Sequence, residues 1–222
     1  MLWHTFSQPE WLPLVLGLSG GAGAVGLPSA PPAERVSAPA AAIIAPAAAS
    51  SAFDENAALG ASQRVIGKPV GDYEVTDRSG KRIRLVSYRG KPLLVSFVYT
   101  GCTHVCPTTT KFLAGALAEA QRALGADSFA TLTIGFNVPF DTPQAMRDFA
   151  RRQGVRLANW EFAAADAATV GALTRDLGFS YYPVAGGFDH ITQVTIVDAA
   201  GRVYRQVYCC ARSTTRRPAG IV

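Results

Sequence analysis

The stretch PLLVSFVYTGCTHVCPTTTKF, residues 92–112, decides the fold of this chain. Its first part, residues 93–99, is a run of mostly aliphatic and aromatic side chains, which predicts a β-strand buried on both faces of a sheet. Gly101 ends that strand, and Cys102 and Cys106 follow it. The two thiols are therefore expected at one end of a central strand.

A helix is predicted immediately after the second cysteine. Apolar side chains recur at helical spacing in residues 108–124, and we expect them to form one buried stripe: Phe112, Leu113, Ala116, Leu117, Ala120 and Leu124. Pro107 fits the first turn, because its missing N–H would be unpaired there in any case. Both thiols thus lie at a helix N-terminus, whose partial positive charge favours thiolate over thiol.

The segments around this stretch alternate between strands and helices. The patterns predict a hairpin over residues 73–86, strands over 129–136, 160–163, 191–197 and 202–208, helices over 144–153 and 167–177, and a loop over 180–189. This order predicts an α/β domain, a thioredoxin-like sandwich with a central mixed sheet, an N-terminal hairpin and a truncated C-terminal end. The truncation is expected because residues 209–222, CCARSTTRRPAGIV, show no helical periodicity and read as an irregular basic tail.

Two segments precede the predicted domain. Residues 1–30 include an uncharged apolar stretch that is shorter than the roughly 20 residues of a comfortable membrane span. Residues 31–52 are rich in alanine and proline, a composition typical of an extended linker. This layout predicts an apolar leader or membrane anchor, a spacer, and a folded domain over residues 53–208.

The charge distribution argues against nucleic-acid binding. The net charge is +5, but five arginines fall after residue 198, and the rest of the chain carries 16 basic and 16 acidic residues. A nucleic-acid interface would need basic residues concentrated on the folded domain. The 4 cysteines are too few for a disulfide scaffold at this length, so the close pair indicates redox or metal chemistry.

Three residues separate Cys102 from Cys106, so both sulfurs lie on one face of a helix start. A thioredoxin-type redox pair usually has two intervening residues, and three give a wider spacing that suits a metal ion while allowing a disulfide. His190 precedes the predicted strand 191–197 and is the candidate third ligand. Two thiolates and one imidazole suit Cu(I), and suit zinc less well because zinc prefers four ligands. The alternatives are buried structural thiols and a packed or surface histidine; His104 is expected to point away from the thiols.

These motifs resemble the Sco/SenC family of copper-binding assembly proteins. The resemblance lies in GKPLLVSFVYTGC at residues 90–102, CP at 106–107 and FDH at 188–190, and it covers about residues 53–208. One loop departs from the family pattern, because residues 137–143 read NVPFDTP where the family often has an acid at the first position. Asp141 remains in that loop, and either it or Thr142 can cap the helix that follows.

The resemblance implies a fold, a location and partners. It implies a thioredoxin-like domain at the bacterial inner membrane facing the periplasm, or exported to the periplasm, and anchored through its N-terminal segment. It implies copper, as Cu(I) or Cu(II), held by Cys102, Cys106 and His190. The expected partners are a cytochrome c oxidase subunit that receives the copper and another copper chaperone. Cys209 and Cys210 have no counterpart in this scheme and are interpreted as incidental, a vicinal disulfide or an extra metal site being the alternatives.

Two functions follow from the same thiols. The first is a copper metallochaperone for oxidase assembly, which is not an enzyme. The alternative is a thiol–disulfide oxidoreductase, with Cys102 and Cys106 as a redox pair that reduces the metal-binding cysteines of a partner. His190 discriminates between them, because metal holding needs it and disulfide exchange does not. A peroxidase is disfavoured, because a resolving cysteine four residues away would be unusual.

Overall fold

The computed structural model describes residues 53–208, so the predicted leader 1–30, linker 31–52 and tail 209–222, with Cys209 and Cys210, lie outside the described residues. The helices are α1 (Glu55–Gln63), α2 (Val105–Leu124), α3 (Pro143–Arg152) and α4 (Ala167–Leu177), with a 3₁₀ helix at Leu85–Tyr88. The strands are β1 (Glu74–Asp77), β2 (Arg82–Arg84), β3 (Leu93–Val98), β4 (Ala130–Gly135), β5 (Trp160–Ala164), β6 (Tyr181–Val184), β7 (Gly187–His190), β8 (Gln193–Val197) and β9 (Val203–Tyr208). Within residues 53–208, no helix is long and apolar enough to cross a membrane.

Seven of these strands form one mixed sheet in the order β2-β1-β5-β4-β3-β8-β9. Strands β3, β4 and β5 run parallel to one another, and β1 and β8 pair antiparallel with β5 and β3. The edge strands β2 and β9 pair antiparallel with β1 and β8. The sheet confirms the predicted α/β sandwich with a central mixed sheet and an N-terminal hairpin. The apolar run that opens the deciding stretch is β3, which lies between β4 and β8.

The core covers both faces of β3. Val95 and Phe97 belong to one hydrophobic cluster, which also contains Leu173 and Leu177 of α4, while Val98 belongs to a second cluster with residues of α2 and α3. Because side chains alternate between the two faces of a strand, each cluster lies on its own side of the sheet. A central strand covered on both faces needs the continuous apolar run that the sequence shows.

Helix α2 buries only part of the predicted stripe. Leu117 is buried, and Leu113 and Ala120 pack against the second cluster, but the other predicted members are exposed. Its buried residues are Cys106, Thr110 and Leu117, whereas Phe112 and Leu124 are 65% and 66% exposed. The helix begins with Cys106 facing the protein interior, and Thr110 and Leu117 follow it at helical spacing. The position of the second cysteine therefore sets which face of α2 is buried.

The segment 180–189, predicted as a loop, forms a hairpin instead. In this histidine hairpin, β6 and β7, Tyr181 pairs with His190 and Val184 pairs with Gly187. Pro183 and the glycines made the segment read as a loop, but proline is tolerated in an edge strand, where its missing N–H need not be paired. The hairpin is a separate two-stranded sheet in the described part of the chain.

Candidate metal and thiol site

The two cysteines lie where β3 passes into α2, as predicted. We call residues 99–106 the cysteine loop. The Cys102 N–H donates to the Tyr99 carbonyl oxygen at 3.1 Å, and the Cys106 N–H donates to the Cys102 sulfur at 3.2 Å. The first N–H groups of a helix have no partner within the helix, so the Cys102 sulfur serves as a cap for α2.

The two thiols occupy unequal environments. Cys102 is half-buried and Cys106 is 3% exposed, and both are free cysteines. Hydrogen bonding from Cys106 outweighs the effect of burial and lowers the pKa of the Cys102 thiol to about 4. Smaller contributions come from the His104 N–H and the Tyr99 hydroxyl. The hydrogen bond to Cys102 and burial both raise the pKa of the Cys106 thiol. The pair is therefore one thiolate hydrogen-bonded to one buried thiol.

Asp141 fixes the chain just before Cys102. One of its carboxylate oxygens accepts the Thr100 N–H at 2.8 Å and the Thr100 hydroxyl at 2.7 Å, and the other accepts the Asn137 N–H at 2.8 Å. Asp141 is 4% exposed, and burial raises the pKa of its carboxyl group despite these donors. Of the two capping residues proposed for α3, Thr142 is the cap. Asp141 instead joins the β4–α3 loop to the cysteine loop.

His190 is the last residue of β7, and its Nδ1 lies 3.2 Å from the Ile191 carbonyl oxygen. A carbonyl oxygen only accepts, so Nδ1 is the donor of this contact, and in the neutral form of the ring Nε2 is the nitrogen with the lone pair. The imidazole packs among aromatic rings, with centroid distances of 5.7 Å to Phe179, 5.8 Å to Phe136 and 6.3 Å to Tyr99. This arrangement leaves one nitrogen available as a ligand.

The structure places the three predicted ligands at one end of the domain, but not close enough together to hold one metal ion. Cys106 and His190 line the same cavity, and Tyr99 contacts both His190 and Cys102. In residues 53–208, no three His, Cys, Asp or Glu side chains are close enough to hold one metal ion. The side chain of His104 makes no capping hydrogen bond, and the residue is exposed.

Two site residues escape a reading of the sequence alone. Tyr99 reads as the last residue of a buried strand, and Asp141 reads as a helix cap. Two features of the sequence could have pointed to them: Tyr99 lies three residues before Cys102, and Asp141 is the acid retained in the altered loop 137–143. Neither signal shows that Asp141 accepts from Thr100 or that the Tyr99 ring packs against the histidine hairpin, because these partners lie far away in the sequence.

A mixed sheet with a dithiol between a central strand and a helix defines a thioredoxin-like thiol or metal protein. Residues 62–215 match the family model described as SCO1/SenC. That match covers more than half of the chain, and the chain belongs to the SCO1/SenC family.

Relatives by sequence and by structure agree with this assignment. The chain is 27% identical over 95 residues to the SCO1 protein homolog of Bacillus subtilis strain 168, a match to 42% of this chain and 47% of that relative. This chain thus aligns with about half the length of that relative.

Solved structures resemble the fold over most of the described domain. ScoI of Bradyrhizobium japonicum with copper bound has a TM-score of 0.54 at 24% identity, covering 62% of this chain and 88% of that chain. A SCO1/SenC family lipoprotein of Bacillus anthracis has a TM-score of 0.58 at 19% identity, covering 67% and 92%. BsSco, described with a disulfide switch as a member of the Sco family of cytochrome c oxidase assembly proteins, has a TM-score of 0.55 at 19% identity, covering 64% and 87%.

Proposed function

We propose that this protein binds one copper ion through Cys102, Cys106 and His190 and passes it to a copper site of cytochrome c oxidase. The observation that carries the proposal is the geometry of the two cysteines, in which the Cys106 N–H donates to the Cys102 sulfur at 3.2 Å and Cys106 lines the same cavity as His190. Two sulfurs and an imidazole are ligands that Cu(I) prefers. Family membership and the copper-bound ScoI of Bradyrhizobium japonicum support copper as the cargo.

Copper titration of the reduced full-length chain tests this proposal. We expect one Cu(I) per chain in competition with a chelator, and loss of tight binding in Cys102→Ser and in Cys106→Ser. The control is the double variant Cys209→Ser/Cys210→Ser, which should bind like the unmodified chain because the tail cysteines are not proposed as ligands. Unchanged copper content in both single variants would refute the site.

A thiol–disulfide oxidoreductase is the second candidate, and the unequal thiols favour it. The half-buried Cys102 thiolate would attack a partner disulfide, forming a mixed disulfide and releasing one partner thiolate. Cys106 would then lose its proton and attack the Cys102 sulfur. The partner leaves with two reduced sulfurs, and Cys102 and Cys106 end as a disulfide, so two electrons pass to the partner. The disulfide switch described for BsSco supports considering this reaction.

His190→Ala separates the two functions. Copper affinity should fall by more than about 100-fold, the upper range for loss of a residue that merely supports a metal ligand. Formation of the Cys102–Cys106 disulfide should remain, because exchange depends on thiolate content and access. The matched control is His104→Ala, which should change neither property.

The same substitution in cells distinguishes the roles. If the protein delivers copper, His190→Ala cells should assemble oxidase poorly, and added copper should partly rescue them. Normal oxidase assembly under limiting copper, together with failure in the cysteine variants, would favour the oxidoreductase. If another copper chaperone supplies the metal, deleting that chaperone should mimic His190→Ala.

We propose that the domain is exported and held at the inner membrane, facing the periplasm. The apolar stretch in residues 1–30 and the alanine- and proline-rich residues 31–52 support this location, as does the Bacillus anthracis lipoprotein of the same family. Fractionation should place the protein with membranes and make its domain accessible to protease added to spheroplasts. Recovery of the full-length chain from the cytoplasm would refute the location.

A further inference from the structure

We propose that a cleft lined by arginines binds the anionic head groups of membrane phospholipids and orients the domain on the membrane surface. The inference rests on the proposed location at the inner membrane. The cleft has a volume of about 480 Å³, and four of its lining residues are arginines: Arg78, Arg147, Arg151 and Arg156. Within the described part of the chain, no carboxylate lines this arginine cleft.

The arginine cleft and the cysteine loop lie at opposite ends of the domain. Arg78 donates to the carbonyl oxygen of Trp160, the first residue of β5, whereas the cysteine loop follows the last residue of β3. Because β3, β4 and β5 run parallel, the starts and the ends of these strands lie at opposite edges of the sheet. A domain that rests on a membrane through the cleft therefore directs its thiols away from the lipid and toward a partner.

Arg78 is fixed at one wall of the cleft. Its Nε lies 3.2 Å from a carboxylate oxygen of Glu161, and one of its Nη atoms donates to the Trp160 carbonyl oxygen at 3.2 Å. The guanidinium carbon lies 6.0 Å from the centre of the Phe162 ring. Since Glu161 balances its charge, Arg78 contributes mainly a fixed wall and donors.

Arg147 and Arg156 supply charge that no carboxylate balances. Both are exposed, and neither forms an ion pair with another described residue. Arg147 donates to the neutral side-chain oxygen of Gln144, whereas Arg151 pairs with Asp148 at 3.0 Å. A guanidinium group donates two parallel hydrogen bonds to a phosphate, so the free pair suits a phosphate-bearing surface.

The lining of the cleft favours a membrane over an acidic protein or a nucleic acid. Among the described residues, no exposed large hydrophobic side chain lines it, whereas the centre of a protein interface needs apolar or aromatic anchors. A nucleic-acid interface makes on the order of six to ten phosphate contacts, more than two free arginines provide. A charged membrane surface attracts any cluster of basic side chains near it.

The predicted linker leaves the orientation of the domain to such a contact. Residues 31–52 can span about 70 Å when extended at about 3.1 Å per residue. A domain of this size has a radius of gyration of only about 15 Å. A tether of that length does not fix which face of the domain meets the membrane, so clustered charge on the domain decides it.

Co-sedimentation of the full-length chain with lipid vesicles tests the cleft. Vesicles of phosphatidylglycerol and phosphatidylcholine in equal parts are compared with vesicles of phosphatidylcholine alone. Arg147→Gln/Arg156→Gln should bind the anionic vesicles about 25-fold more weakly, because each basic residue near a charged surface contributes about fivefold. Binding to the neutral vesicles should not change. The leader and tail are the same in both proteins, so the difference between the two vesicles isolates the charge of the domain.

The matched control is Arg64→Gln/Arg205→Gln, which removes two other exposed arginines that have no ion pair with a described residue. Arg205 lies on β9, at the opposite edge of the sheet from the β1–β2 turn that carries Arg78. Its loss together with Arg64 should weaken binding to anionic vesicles by less than about twofold, since residues beyond a Debye length of the surface contribute little. Arg147→Lys/Arg156→Lys should bind like the unmodified chain, because attraction to the surface depends on charge.

Four results would overturn the inference. They are an equal loss in the glutamine variant and its control, a lysine variant as weak as the glutamine variant, unmodified chain that does not distinguish the two vesicles, and release from vesicles by inorganic phosphate but not by sodium chloride at the same ionic strength. The last result would assign the cleft to free phosphate. Binding of poly-glutamate that is lost in the glutamine variant would likewise overturn the membrane as occupant and assign an acidic protein segment. A cytoplasmic location found by fractionation would instead overturn the proposed location, and the vesicle test would still decide whether the cleft binds lipid.

Discussion

The two halves of the candidate site are held in place by different means. Hydrogen bonds to main-chain groups hold the cysteine loop, which follows β3: the Cys106 N–H of α2 donates to the Cys102 sulfur, and Asp141 accepts from the Thr100 N–H. The histidine hairpin instead pairs only with itself among the described strands and meets the core through aromatic rings.

This difference indicates which half of the site has its functional group already fixed in position. Hydrogen bonds to fixed backbone groups are directional, so the Cys102 thiolate is ready before any metal arrives. Ring packing is less directional than hydrogen bonding, so we expect the hairpin to be less rigidly placed than the cysteine loop. A carrier that must both hold and release copper benefits from one fixed and one adjustable half.

The largest contrast is expected in thiol reactivity. In the reduced protein at pH 7, Cys102 should react with iodoacetamide more than about 30-fold faster than Cys106, since even an ordinary thiol is only a few per cent ionised there. The Cys102 rate should be level from about pH 6 upward and fall as the pH drops through about 4, because protonation then removes the thiolate. Peptide mass spectrometry measures both sites. Equal modification of the two cysteines would contradict the description of the fixed half.

Phe136→Ala should affect the adjustable half most strongly. Phe136 is 3% exposed and contacts the rings of Tyr99, Phe188 and His190, so the substitution leaves a cavity beneath the hairpin. The free energy of unfolding should fall by about 3–5 kcal/mol, measured by urea denaturation. Phe140→Ala is the control, because Phe140 is 70% exposed and its loss should change stability by less than about 0.5 kcal/mol.

Asp141→Ala should loosen the fixed half by a somewhat smaller amount. It leaves the N–H groups of Thr100 and Asn137 without their acceptor, which should lower the free energy of unfolding by on the order of 3 kcal/mol. Urea denaturation measures the loss, and exchange of the Thr100 amide should rise with it. Asp141→Asn keeps one acceptor oxygen and should cost less; an equal cost in both variants would show that size rather than hydrogen bonding matters.

Thr142→Ala should have the smallest effect and tests whether α3 contributes to the site. Thr142 caps α3 next to Asp141, and its loss should cost about 1 kcal/mol of stability. Copper affinity and the reactivity of Cys102 should not change, because the cap contacts the helix and not the cysteine loop. A change in either property, measured in the same titrations, would mean that the two halves depend on α3 as well.

Most of the fold follows from local patterns in the sequence. The run in β3, the capping residues Thr142 and Asp166, and Gly178 at the end of α4 each use interactions within a few residues, so reading along the chain finds them. The errors lie where distant contacts decide. Phe112 is exposed because Cys106 sets the phase of α2, and the hairpin with Pro183 forms on the surface of a core made by other segments.

The candidate site divides in the same way. The sequence by itself determined the sulfur pair and its place at a helix start, because spacing and residue type are local properties. His190 became the predicted third ligand through the resemblance to the Sco/SenC family. Only the tertiary structure decided that Cys106 is the more buried thiol, that Asp141 accepts from Thr100, and that the Tyr99 ring packs against the histidine hairpin. The first feature depends on burial, and the other two depend on contacts between groups that lie about 40 to 90 residues apart, which meet only when the sheet and hairpin have formed.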